Sequence, residues 1–428
     1  MGDTVTLHNG IQLYIQRDKN CAKLGCAVAF RAGTKYEKGG ERGLTHMLEH
    51  MMFRRLGDIG QRELYRFTRR MGTNMRGITY RDMLYFGITV SARHEAEQIG
   101  LLRRLFERPE WSREEFEAER GVVLRQMENR YYGKTEEFIN RRYLPKSLGG
   151  YIMGDAETVK KMSPEQLCEF HERIMVPENA CAVIYGDISR DGLDEILKLG
   201  EIRRSAEQVR RRNCNSADEI LQSNAKTGGI HYLESGGGGS DIELLFRIQR
   251  RDIRTAELLS AALGMGDGSE LSLQLRETDA ITDEVDSYIE ELDGFAYLGI
   301  SVYVGNEALT LALERISDVL KRVRDGIGEQ RFVEHRSYLA SWTRLNCCGE
   351  PHQECLTAAR NGFILNEGIF GCRDLAAAYE QVSYDEFCTL ARRVLISDNM
   401  TAMIAGDRHV ILSRKVRRCA EKALMATD

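Results

Sequence analysis

The run Ser163-Pro-Glu-Gln-Leu167-Cys168, followed by Asn179, Ala182, Ile184, Gly186 and Asp187, recurs in the later part of the chain. The second copy reads Ser383-Tyr-Asp-Glu-Phe387-Cys388, followed by Asn399, Ala402, Ile404, Gly406 and Asp407, with no gap. Each copy spells a serine-capped helix and then a buried strand that ends in a Gly-Asp turn. In a chain of 428 residues, too long for one ordinary core, the repeat marks two halves of equal length. The expected fold class is α+β, with two duplicated α/β-sandwich domains at 1–200 and 228–428 and a polar, charged linker at 201–227.

Within the first half, Val5, Leu7, Ile11, Leu13 and Ile15 alternate around Asn9-Gly10, the pattern of a β-hairpin. Strands are expected at 24–32, 73–79 and 82–90, and helices at 61–71, 94–107 and 112–131. Ser112 and Glu115 form a capping box at the head of the last helix.

The chemistry concentrates in Glu41-Arg-Gly-Leu-Thr-His46-Met-Leu-Glu49-His50-Met-Met-Phe53. On a helix, histidines four residues apart stack their imidazoles on one face, and Glu49 projects beside them. Two imidazoles and a carboxylate suit a zinc ion that activates water while a general base takes its proton. His-x-x-Glu-His is the zinc-peptidase motif in inverted order. The same stretch also reads as a plain amphipathic helix, with Leu44, Met47, Leu48, Met51 and Phe53 packing a core. Carried across by the offset that takes Ser163 to Ser383, the motif falls on Gly266–Glu270, a glycine-rich bend. Only one half is therefore expected to carry a metal.

Composition narrows the remaining classes. Apolar residues make up 42% and charged residues 29%, as in a soluble globular protein. A net charge of -5 and a pI near 6.1 give no support for nucleic acid or an acidic membrane as the main partner. The basic runs Arg203-Arg204 and Arg210-Arg211-Arg212 are balanced by nearby acids. The first residues lack a basic and an apolar region, so no signal peptide is expected, and no apolar run is long enough to span a membrane. Eleven cysteines without paired spacing read as reduced thiols, which points to a cytoplasmic protein. The four consecutive glycines between Ser235 and Ser240 lack the Lys-Ser/Thr of a phosphate loop and read as a mobile loop or hinge.

The order of motifs resembles the M16 metallopeptidases, the clan of pitrilysin and the mitochondrial processing peptidase, in its short bacterial M16B form. The resemblance rests on the His46–His50 motif and on Glu119-Arg-Gly-Val-Val-Leu. Further support comes from Gly154 to Asp187, with its Met-Ser-Pro-Glu, and from Gly264 to Arg276-Glu277. It implies two sandwich domains of the LuxS and processing-peptidase-like metallohydrolase type, forming half of a clamshell that closes on unfolded peptides. It implies zinc as cofactor, with His46 and His50 as ligands and Glu49 as the base. The family's third ligand, a glutamate seven residues after Glu119, is here Gln126. An amide oxygen brings no charge, so zinc affinity is expected to drop, and Glu119 becomes a catalytic-site residue and candidate substitute ligand.

A second departure concerns the family's Arg and Tyr pair, which helps to bind substrate or stabilise an oxyanion. Arg276 fits, but the tyrosine position holds Asp283. The two losses imply a heterodimer with a second M16B subunit that supplies the pair, a homodimer being the other arrangement. Asn74, Gly77 and Thr79 lie where the family's edge strand takes peptide by β-augmentation. The function implied is a zinc endopeptidase subunit acting on short or unfolded peptides, with leader-peptide processing as one such task. The alternative is an impaired, peptide-binding or regulatory subunit. A pseudoenzyme, a weakened site and an introduced change all remain open as accounts of Gln126.

Overall fold

The structure is a computed structural model that describes residues 3–130, 133–203 and 228–425. From residue 204 onward the expected linker lies outside the described residues, as does Arg210-Arg211-Arg212.

Strands β1 (Asp3–Thr6) and β2 (Gln12–Arg17) form the expected hairpin, with Thr6 opposite Gln12. β3 (Lys23–Phe30) leads through a long loop to helix α1 (Leu44–Arg54), and a short ribbon of β4 (Arg55–Leu56) and β5 (Ile59–Gly60) follows. Helix α2 (Gln61–Arg70) precedes β6 (Arg76–Thr79) and β7 (Leu84–Ser91). Helix α3 (Glu95–Arg103) then leads to α4 (Arg113–Asn129), and the Ser112–Glu115 capping box is formed. Helix α5 (Lys134–Phe138) runs into a π-helical turn at Ile139–Tyr143. Helices α6 (Ala156–Lys161) and α7 (Pro164–Ile174), strand β8 (Ala180–Gly186) and helix α8 (Arg190–Leu197) complete this half.

The second half repeats the plan. β9 (Ile230–Glu234) and β10 (Gly239–Ile248) lead to α9 (Ile253–Gly264), then to α10 (Glu270–Ser272) and a π-helical turn at Leu273–Thr278. β11 (Val285–Leu292), β12 (Phe295–Gly305), α11 (Leu309–Asp325) and α12 (Glu329–Asn346) follow. Helix α13 (Pro351–Thr357), a π-helical turn at Ala358–Ile364, α14 (Cys372–Gln381), α15 (Tyr384–Val394) and β13 (Met400–Gly406) parallel α5 through β8.

Sheet order establishes the duplication. The first sheet runs β1-β2-β8-β3-β7-β6, and the second, taken from its other edge, runs β9-β13-β10-β12-β11. In each, one pair (β2 with β8, β9 with β13) is parallel and the other pairs are antiparallel. The repeated asparagine does the same work twice. Asn179 Nδ2 donates to Ile174 O and Arg31 O, both at 2.9 Å. Asn399 Nδ2 donates to Val394 O at 3.0 Å and Arg247 O at 3.1 Å. Each amide thus ties the end of a helix to the end of a central strand.

One expectation needs correction. Thirteen residues, 31–43, separate β3 from α1, but only four, 249–252, separate β10 from α9. The register of the repeat therefore slips upstream of Ser163 and Ser383, and the counterpart of α1 in element order is α9, not the bend at Gly266–Glu270. Helix α9, Ile-Arg-Thr-Ala-Glu-Leu-Leu-Ser-Ala-Ala-Leu-Gly, holds no histidine.

The chain forms two compact units that do not follow the halves strictly. Among the described residues, the first gathers 3–130, 146–203 and Arg344–Leu375, and the second gathers 133–145, 228–343 and 376–425. Each unit therefore includes a helical segment from the other half. In the first unit, Leu24, Cys26, Val28 and Phe30 of β3 meet Leu44, Met47, Leu48 and Met51 of α1. The opposite face, with Ala27, Ala29 and Tyr85, is covered by Cys355, Ala359 and Phe363. Small residues line that face because α13 lies close: a Cβ on Gly25 would sit 2.6 Å from Pro351 Cβ. Each fully buried Leu or Phe contributes about 2 kcal/mol relative to an exposed one.

The asparagine clamps predict matched costs. Asn179→Ala and Asn399→Ala should each destabilise the protein by about 2 kcal/mol, because each strands carbonyls in a largely buried setting. Urea denaturation of the two variants against the parent measures this.

Candidate active site

Helix α1 is held at both ends. Gly43 at its head adopts φ 89°, and a Cβ there would lie 2.4 Å from Met153 O. The free amides of the first turn are capped from outside: Glu37 Oε2 accepts from Gly43 N at 3.1 Å and Oε1 from Thr45 N at 2.9 Å. Burial nevertheless pushes the Glu37 carboxyl above its usual range. Arg173 of α7 grips Glu41 through two bonds, 3.1 and 2.7 Å, and Trp111 Nε1 donates to Met51 O at 3.0 Å.

This anchored helix brings His46, Glu49 and His50 together. The two imidazoles lie 4.6 Å apart between ring centres. His46 is only 8% exposed, and its Nδ1 is buried without a hydrogen-bond partner. Burial, then the neighbouring His50, lowers its pKa to about 3, so the ring is neutral and able to donate a lone pair. His50 Nδ1 lies 2.7 Å from Glu119 Oε1. Arg54 Nε donates to the other oxygen of the same carboxylate. Burial works against ionising Glu119, but the bonds from His50 and Arg54 outweigh it and hold the carboxyl below its usual range. An ionised carboxylate only accepts, so Nδ1 of His50 is the donor, and Nε2 is the ring nitrogen left to face a metal.

Glu49 reaches the edge of the sheet. Its Oε2 accepts a hydrogen bond from Thr79 Oγ1 on β6, the edge strand beyond β7. Gly77 makes the approach possible, since a Cβ there would lie 2.7 Å from Glu49 Cγ and 2.8 Å from Phe53. Burial raises the Glu49 carboxyl above its usual range, opposed by Thr79 and His50. A buried carboxylate beside two imidazoles and a free strand edge is suited to proton transfer on a peptide backbone.

The residues fit zinc in part. His46 and His50 present ring nitrogens on one face, and Glu119 orients His50 as a supporting carboxylate. Gln126 lies on the last turns of α4 and is exposed, whereas Glu119 on the same helix is 6% exposed. Among the described residues no three His, Cys, Asp or Glu side chains are grouped so as to hold a metal. Asn74 is exposed ahead of β6. Arg276 belongs to the other unit, where it is half exposed and pairs with Asp267 at 2.8 Å and Glu277 at 3.5 Å; Asp283 is exposed. Sequence reasoning missed Arg54, although its spacing four residues beyond His50 places it on the same helix face. It also missed Glu37, whose capping role has no signature at that distance from the helix.

A duplicated α/β sandwich whose first copy carries an inverted His-x-x-Glu-His helix defines a metallopeptidase scaffold. Two family models match: "Insulinase (Peptidase family M16)" over residues 13–143 and "Peptidase M16 inactive domain" over residues 161–339. The chain belongs to peptidase family M16. It is 21% identical over 412 residues to "Uncharacterized zinc protease YmxG" of Bacillus subtilis, covering 94% of this chain and 97% of that one. It is 24% identical over 197 residues to the mitochondrial-processing peptidase subunit beta of Bos taurus, 45% of this chain and 40% of that one. A protease from Helicobacter pylori shares the fold, with a TM-score of 0.81 at 17% identity over 95% of this chain and 99% of that one.

The buried histidines set a pH dependence. His171, fully buried with Nε2 2.9 Å from Leu105 O, has its pKa lowered by burial to about 4. Unfolded, His46 and His171 take up protons below about pH 6.5; folded, they do so only near 3 and 4. Their contribution is complete above about pH 6.5 and is lost as the pH falls. The urea midpoint of metal-free protein should drop between pH 7 and pH 4.5, and His171→Gln should flatten that slope.

Proposed function

We propose that this chain is the catalytic subunit of a zinc-dependent endopeptidase acting on short or unfolded peptides. The observation that carries the reading is the contact of Glu49 with the β6 edge through Thr79, beside His46 and His50. Peptide backbone pairs with the free edge of β6, which gives affinity with little side-chain preference. His46 and His50 would hold zinc, and Gln126 would be the candidate for a weak third contact through its amide oxygen. When bound, zinc supplies Lewis acidity to water and to the scissile carbonyl. Glu49 takes the proton from water and delivers it to the departing amine, and Thr79 keeps its carboxylate turned to the strand edge. Glu119 and Arg54 hold the His50 ring in its working tautomer.

The partner in this reading is a second, non-identical M16B subunit. Asp283 in place of the tyrosine, and Arg276 engaged by Asp267 and Glu277, leave oxyanion stabilisation to another chain. That one relative bears the name of a subunit supports the same arrangement. Leader-peptide removal is a task suited to such a pair. The ten free cysteines among the described residues suit a reducing, cytoplasmic setting. Gln126, exposed on α4, favours a second reading, a subunit that binds peptide without cutting it.

Zinc content separates the two. Elemental analysis of metal-replete, desalted protein should give about one zinc per chain for the parent and for Glu49→Gln, and none for His46→Ala. Gln126→Glu should tighten zinc by about tenfold or more. No zinc in the parent, with one in Gln126→Glu, would overturn the peptidase reading in favour of the binding subunit. With zinc bound, Glu49→Gln should abolish peptide hydrolysis without loss of metal.

A further inference from the structure

The duplication exposes an unsatisfied arginine in the second unit. Phe30 pairs with Ala180, and Phe246 pairs with Met400, the residue that matches Ala180 in the repeat. Arg31 and Arg247, each one position further on, are therefore counterparts. In the first unit Arg31 has partners: Nη2 donates to Phe363 O at 2.7 Å, and the guanidinium sits 3.8 Å over the Phe363 ring. In the second unit Arg247 lies 5.7 Å from the Phe295 ring, and its Nε and Nη2 are buried with no hydrogen-bond partner. Tyr143 stands nearby with its hydroxyl also unpartnered. A buried guanidinium edge without acceptors is costly, and more so than a neutral donor.

Arg247 lines a cleft of about 380 Å³. Arg250 and Arg393 also line it, together with the apolar Ile248, Phe295 and Val394. Asp252 already neutralises Arg393 at 2.5 Å, and exposed Asp398 adds one acid to the lining. Nε and Nη2 form one edge of the guanidinium, the edge that grips a carboxylate with two parallel bonds. No hydrogen bond at that edge holds it in place, so turning it into the cleft breaks none there.

We propose that this cleft binds a carboxylate attached to a small apolar group, with Arg247 as its bidentate anchor. The carboxylate takes the acceptor role that Phe363 O plays for Arg31, and the apolar group rests on Phe295 and Val394. A free acid and the C-terminal residue of a peptide share this chemistry. The site is independent of the histidines and does not rest on hydrolysis.

Calorimetric titration of the full chain tests it with three probes: N-acetyl-leucine, N-acetyl-leucinamide and isovalerate. N-acetyl-leucine should bind, and its amide about tenfold more weakly or worse, since the amide offers no anion. Arg247→Gln and Arg247→Lys should each weaken the acid by about tenfold or more, the lysine keeping the charge but losing the fork. The lysine variant guards against misfolding if it melts at the parent's temperature. His46→Ala should bind as the parent does, which separates this site from the metal site. Isovalerate binding as well as N-acetyl-leucine assigns the cleft to free acids; preference for N-acetyl-leucine assigns it to chain termini. Equal binding of acid and amide, no binding of either acid, or full binding by a folded Arg247→Lys would overturn the proposal.

Discussion

A carboxylate buried against a helix is tolerable only when its charge is met, and Glu119 is met from both sides. His50 bonds one oxygen and Arg54 the other, and both lie on α1, one turn apart. That arrangement couples α4 to α1 and sets which nitrogen of the His50 ring donates. It also explains why the pair could not be exchanged casually for apolar residues. Such a swap can leave stability unharmed, but it would free the His50 ring to rotate. The site is rigid because its second layer is ionic and its first layer stands on a helix pinned by Glu37, Arg173 and Trp111.

The duplicated frame shows where divergence is permitted. Strand order, pairing direction and the asparagine clamp are the same in both units, because each is built into the sheet and the helix laid against it. The differences fall in the connections. A longer loop before α1 allows an outside carboxylate to cap a helix that carries polar residues, whereas α9 follows its strand closely and is largely buried. The arginine at the end of the central strand donates to a carbonyl in one unit, and in the other its Nε and Nη2 have no hydrogen-bond partner. A repeated fold keeps the position and lets its chemistry drift.

Function depends on how closely β6 passes α1. Glycine at 77 removes the side chain that would hold them apart, and threonine at 79 bonds the carboxylate that approaches. The Glu49 carboxylate, the paired imidazoles and a free strand edge thus meet within two short elements. What the site lacks is negative charge at the third ligand position. In the proposed site an amide brings no charge to a divalent ion, and Glu119 is already committed to His50 and Arg54.

By itself the sequence determined the duplication, the capped helices and the inverted histidine motif, because these are local patterns written by spacing. His46, Glu49 and His50 could be read from one helix face, whereas Gly77 and Thr79 were pointed to only by the family resemblance. Tertiary structure alone decided what depends on distant partners. That Glu37 caps α1, that Glu119 is shared by His50 and Arg54, and that Arg247 lacks what Arg31 has are facts about residues far apart in the chain. So is the exchange of 133–145 and Arg344–Leu375 between the two halves, for which β3 had to keep Gly25, Ala27 and Ala29 small. Local pattern specifies which elements form and which side chains share a face. Burial and charge compensation across the fold decide which of those side chains are left free to act.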